Sequence, residues 1–121
     1  MTIFSETWPQ VMSDMKTQTS KVKKPGEYAT YDSEGNIISI HHASGRVKWA
    51  VGHDYAIQPY RTAKSIGRYR VLELSDRNVD SFDESDADRE GMHTLDEFRR
   101  VWQKLNRDKT DAWVINFKRV Q

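Results

Sequence analysis

The spacing of apolar positions changes along the chain, and each change marks an element. Trp8, Val11, Met12 and Met15 recur at i, i+3, i+4 and i+7, one face of a helix, and Pro9 suits a first turn. A short helix over residues 5–15 is expected, with that face in the core. Residues 14–28, DMKTQTSKVKKPGEY, have no such period and read as an irregular, lysine-rich segment ending at Pro25-Gly26. Residues 27–32 and 36–42 are β-prone runs joined by Ser33-Glu34-Gly35, a hairpin signal. After the turn residues Ala43-Ser44-Gly45, residues 46–51 and 54–58 read as short strands around Gly52. Residues 65–74 set Ile66, Arg68 and Arg70 against Tyr69 and Val71, the alternation of a longer strand. Ser81-Phe82-Asp83-Glu84 and Thr94-Leu95-Asp96-Glu97 each have the form of a capping box. They predict helices over 83–90, ending at Gly91, and over 95–106, with Leu95, Phe98, Val101, Trp102 and Leu105 on one face. A final strand over 112–120 sets Trp113, Ile115 and Phe117 against Val114, Asn116 and Lys118. The sum is an α+β protein: a small β-barrel of about five or six strands with an N-terminal helix and two helices packed on it.

Composition narrows the class. The 121 residues suit one domain over 1–121, and four Trp, five Tyr and four Phe offer the apolar area that a folded core needs. There is no cysteine, which excludes disulfides and thiolate metal sites and fits a reducing cytoplasm. No apolar run approaches the ~18 residues of a membrane span. The formal net charge is +1, but a basic body (+3 over residues 1–75 and +3 over 101–121) surrounds an acidic segment (−5 over 76–100). The basic part could attract a polyanion, although a solvated surface accounts for the same excess. Oligomeric state leaves no mark in the pattern.

Three places together resemble the ASCH domain family of the PUA-like superfamily, especially its phage and bacterial members. Lys16-Thr17-Gln18-Thr19-Ser20-Lys21 is similar to the family's Gly-x-Lys-x-x-(Glu/Thr)-x-Arg signature, with Asp14 in the glycine position and Lys21 in that of the arginine. Aspartate accepts a left-handed turn better than most residues; lysine lacks arginine's bidentate fork. Tyr55-Ala56-Ile57-Gln58-Pro59-Tyr60-Arg61 leading to Ile66-Gly67-Arg68 is the second place. The third is Asp86-Ala87-Asp88-Arg89-Glu90-Gly91 with Phe98, Trp102 and the terminal strand. The resemblance implies a PUA-like barrel whose cleft, between barrel and helices, receives RNA or a modified nucleoside. Some members are binding modules; a few are amidohydrolases that remove the acetyl group from N(4)-acetylcytidine with a lysine, a threonine three residues later and a glutamate. Lys16, Thr19 and Glu90 match those positions, the last within Glu90-Gly91-Met92-His93-Thr94-Leu95.

Such chemistry makes demands on these residues. A threonine hydroxyl needs a base to become a nucleophile, and lysine can be that base only when burial lowers its pKa. Side chains at i and i+3 of a strand face opposite ways, so Lys16 and Thr19 would converge only on a turn or helix end. Glu90 could orient Lys16 or pass the proton to the leaving amine. The plainer reading makes Lys16 a surface lysine, Thr19 a turn residue and Glu90 a solvated helix residue. For binding, Lys21, Arg61, Arg68 and Lys64 are candidates to meet phosphate, and Gln58 to read a base edge or to hold its loop together. Tyr60 and Trp49 are candidates to stack on a base. His41, His42, His53 and His93 lack metal-binding spacing, and neither a metal nor a cofactor is expected. Three classes stay open: a nucleoside- or RNA-binding module, an amidohydrolase, and an accessory protein with a vestigial cleft.

Overall fold

A computed structural model describes residues 2–3 and 7–121. Its strands are β1 (Thr2–Ile3), β2 (Gln18–Val22), β3 (Tyr28–Tyr31), β4 (Ile37–His41), β5 (Val47–Ala50), β6 (Asp54–Gln58), β7 (Gly67–Asn78) and β8 (Asp111–Arg119). The helices are α1 (Trp8–Met12), α2 (Glu84–Arg89) and α3 (Leu95–Asn106), with a 3-10 turn at Val79–Ser81. All eight strands join one curled sheet, antiparallel except where β1 meets β6. The architecture is α+β, a small β-barrel with helices against one face. Among the described residues no helix is long and apolar enough to cross a membrane.

The long pair β7–β8 is the spine. β8 runs along one edge of β7, so β6 and β4 share the other, β6 against residues 67–70 and β4 against Leu74. A bulge makes this possible. Val71 faces Phe117 and Glu73 faces Asn116, leaving Leu72 as an extra, exposed residue. Inward positions therefore shift from Tyr69 and Val71 to Leu74.

β8 is buried on both faces. Trp113, Ile115 and Phe117 enter the barrel interior with Ile40, Ile57 and Tyr69, while Ala112 and Val114 face Ala87, Phe98 and Trp102 of the helices. Each fully buried large apolar side chain contributes about 1.5–3 kcal/mol relative to exposure. β8 thus ties the barrel core to the helical layer.

Several sequence expectations need correction. The first helix was expected over 5–15, of which residues 5 and 6 lie outside the described ones; it ends at Met12. The Ser13 N–H closes it on the Pro9 carbonyl and Asp14 turns left-handed at φ 64°, so Val11 is buried while Trp8 and Met15 stand in solvent. Residues 18–22, expected within an irregular segment, form β2 along β8. The first capping box belongs to Asp83 and Asp86, because Ser81 is taken into the 3-10 turn and donates to the Asn78 carbonyl at 2.7 Å. α3 has the expected bounds, with Thr94 accepting from the Glu97 N–H, but Leu105 at its far end is exposed. Trp49 is a core residue and offers no stacking surface.

Candidate functional site

Lys16 is held by backbone contacts before its side chain is considered. The Met15 and Lys16 N–H groups both donate to the Gln10 carbonyl, at 2.8 and 3.0 Å. Thr17 donates to the Arg89 carbonyl at 2.8 Å and accepts from the Phe117 N–H at 2.9 Å. The left-handed Asp14, fixed on the surface by its ion pair with Arg119, aims the chain into this clamp.

The opposite wall is the end of α2. Gly91, at φ 84°, donates to the Asp88 carbonyl while Met92 donates to that of Ala87, a Schellman ending that makes Glu90 the C-cap of the helix. A Cβ on Gly91 would lie 3.1 Å from Lys16 Cβ, so glycine permits the contact. Lys16 and Glu90 are 4% and 3% exposed. Lys16 Nζ donates to the Glu90 carbonyl oxygen at 2.7 Å and lies 3.5 Å from Oε1 of its carboxylate. Burial pushes the Lys16 amine below the ordinary lysine range, against the attraction of Glu90.

The rest of the Glu90 carboxylate is taken by the sheet. Oε2 accepts from Gln18 Nε2 at 3.0 Å and from Ser20 Oγ at 2.7 Å. Gln18 is 1% exposed, and its Oε1 accepts from Arg89 Nε at 3.2 Å and Asn116 Nδ2 at 3.1 Å. Asp86, one turn before Glu90, accepts both guanidinium branches of Arg77, at 2.7 and 3.0 Å, and one from Arg89 at 2.8 Å. Burial opposes the ionisation of Asp86, but Arg77, the Asp83 N–H and Arg89 outweigh it and hold the carboxyl well below its usual range.

Thr19 lies on the other face of β2. It pairs with Ile115 and its neighbour Lys21 with Trp113, so both turn towards the barrel side, away from Gln18 and Ser20. The Thr19 hydroxyl takes no part in the hydrogen bonds around Glu90. Lys21 is near enough to feel the charges of Lys16 and Glu90. Its pKa falls to about 8, first through burial and then through Lys16. Lys16 and Glu90 are therefore in contact, whereas Thr19 and Lys21 lie on the opposite face of β2 from Gln18 and Ser20.

The remaining candidates sit elsewhere. Gln58 is buried, and its amide donates to the Arg61 and Ala63 carbonyls at 2.7 and 2.8 Å, pinning its loop. Arg61 is exposed on that loop, and Arg68 is an exposed residue of β7 whose guanidinium donates to the Asp54 carbonyl at 3.2 Å. In the sheet β7 and β8 separate β6 from β2. Sequence reasoning missed Gln18, Ser20, Asp86 and Arg89. The available signals were polar residues at i and i+2 in 18–20 and carboxylates at i and i+4 in 86–90. Among the described residues no group of three or more His, Asp or Glu side chains could hold a metal ion.

No family model and no curated protein sequence matches the chain. Its backbone does match solved structures. One is the ASCH domain from Lactobacillus crispatus JV V101, with a TM-score of 0.56, 15% identity and coverage of 92% of this chain and 68% of that one. The chain has an ASCH-like fold. A protein of the DUF984 family from Enterococcus faecalis V583 also has it, with a TM-score of 0.60, 16% identity and coverage of 93% and 68%. Identities this low carry the fold alone. In this ASCH-like chain, Lys16 and Glu90 lie where the barrel strand β2 meets the helix α2.

Proposed function

We propose that the protein is an ASCH-type domain that binds RNA or a modified nucleoside, and that its specific ligand is an acylated cytidine whose amide it hydrolyses. The observation that carries this reading is the buried contact of Lys16 with Glu90, in which desolvation favours the neutral amine.

A neutral lysine amine has two hydrogens and one lone pair. The hydrogens point to the main-chain and side-chain oxygens of Glu90, which leaves the lone pair to act as base. In the proposed reaction Lys16 takes the Thr19 hydroxyl proton as the oxygen attacks the acyl carbon. The tetrahedral intermediate collapses, the C–N bond breaks, and the exocyclic amine of cytidine leaves with the proton from Lys16. Water, activated by the same amine, then cleaves the threonine ester and releases the acid. Lys21, on the same strand face as Thr19, is the donor for the developing oxyanion. Glu90 orients Lys16 in this scheme, because its other oxygen is held by Gln18 and Ser20.

Incubation with N(4)-acetylcytidine, with cytidine followed by chromatography, tests the reading. Accumulation of cytidine supports hydrolysis. Absence of turnover with every acylated cytidine tried removes the hydrolase reading and leaves a binding domain.

A further inference from the structure

A second feature of the lysine-rich segment lies beyond the Lys16–Glu90 contact. The turn between β2 and β3 and the turn between β4 and β5 meet, Gly26 against Ala43, so closely that a Cβ on Gly26 would come within 2.6 Å of the Ala43 Cβ. Between them is an open groove of about 390 Å³, lined by Lys24, Glu27, His42, Ser44 and Arg46 among others.

Charge in this groove is one-sided. The single acid, Glu27, is already countered: Oε1 accepts from the Lys24 N–H at 2.8 Å and Trp113 Nε1 at 3.2 Å, and Oε2 pairs with Lys48 at 2.7 Å. Among the described residues neither the Lys24 ammonium nor the Arg46 guanidinium has an acidic partner, and the Ser44 hydroxyl stands beside them. Two exposed cations and a hydroxyl thus stand at the junction of two fixed turns, the kinds of group that make charge-assisted contacts to a phosphate.

The groove also adjoins the site. Lys24 follows Lys21 by three residues, no more than about 11 Å of backbone. Lys24 and Lys48 both act electrostatically on Lys21, so the positive charge beside the groove reaches the strand that carries Thr19.

We infer that the groove formed by Lys24, His42, Ser44 and Arg46 is a phosphate subsite, and that the preferred ligand is a nucleotide, free or within RNA. The inference rests on the proposed nucleoside site for its identification of the ligand, but its test reads binding alone. Wild type, Lys24→Gln/Arg46→Gln and a charge-matched control on α3, Arg99→Gln/Arg100→Gln, are titrated calorimetrically with three probes. These are cytidine, cytidine 5′-monophosphate and a short cytidine-containing oligoribonucleotide, each at low and moderate salt. A phosphate-bearing probe should bind about tenfold more tightly than cytidine, a gain of the size of one charge-assisted hydrogen bond. The Lys24/Arg46 variant should lose that gain, the control should keep it, and salt should reduce it. A gain with the monophosphate assigns a free nucleotide; a gain with the oligoribonucleotide alone assigns a backbone phosphate. Equal affinity for all three probes, or a gain that survives in the Lys24/Arg46 variant, overturns the subsite. Failure to hydrolyse acylated cytidine overturns the proposed reaction and leaves this result unaffected.

Discussion

Lys16 and Glu90, 74 positions apart in the chain, are joined twice: the lysine amine donates to the main-chain carbonyl of Glu90 and lies within 3.5 Å of its carboxylate. The first bond depends on where α2 ends, and the second on how β2 holds the carboxylate. Displacing either element would change the environment of the amine.

Asp86 is the anchor on the helix side. It completes the capping box of α2 with Asp83, pairs with Arg77 and Arg89, and is buried. Asp86→Ala leaves Arg77 without its carboxylate and removes half of the capping box, and should cost about 3 kcal/mol, as for a broken buried pair. Urea unfolding at neutral pH checks this. The wild-type contribution should fade in acid: with a carboxyl pKa below its ordinary value, the stabilisation is present above pH 3.8 and is lost as pH falls through the folded-state pKa.

Gly91 sets the approach of the two walls. Gly91→Ala places a Cβ 3.1 Å from both Gln10 and Lys16 side chains at a left-handed φ, and should destabilise the fold by about 1–2 kcal/mol. Gly91→Asn, which tolerates that φ, should lose less. Thermal denaturation of the two variants gives the comparison; equal losses would place the effect in crowding alone.

Lys21 predicts a rise of stability in alkali. Its folded-state pKa is about 8 against the ordinary lysine value of 10.5, so between these pH values the unfolded chain binds the extra proton. Wild-type stability should therefore increase relative to Lys21→Met from pH 8 to pH 10.5, measured by urea unfolding. Parallel curves would contradict the burial of this charge.

The legible and hidden parts of the fold divide along physical lines. α3 was legible because Thr94 caps it locally and Phe98 and Trp102 share one stripe. β6 and β8 were legible because their alternation is apolar. β2 was hidden because Gln18, Thr19 and Ser20 are polar residues at interior positions. The partners that make burial tolerable, Asp86, Arg89 and Glu90, come from a helix some seventy residues away. No local period reports such an arrangement. Lys16, Thr19 and Glu90 were named through a family resemblance, whereas Gln18 and Ser20, which hold the Glu90 carboxylate, were not. Gln58 illustrates the same ambiguity: an amide in a loop serves a ligand or its own backbone, and here its hydrogens go to Arg61 and Ala63.

The central claim is that Lys16 activates Thr19 against an acyl carbon. Its most direct measurement is the rate of N(4)-acetylcytidine hydrolysis by wild type, Lys16→Met and Thr19→Ala, with circular dichroism verifying that each is folded. Wild-type turnover with a loss of at least about 100-fold in both variants, the lower range for a lost acid–base group, is predicted. Wild-type turnover that survives in folded Thr19→Ala, or no turnover by wild type, would contradict it.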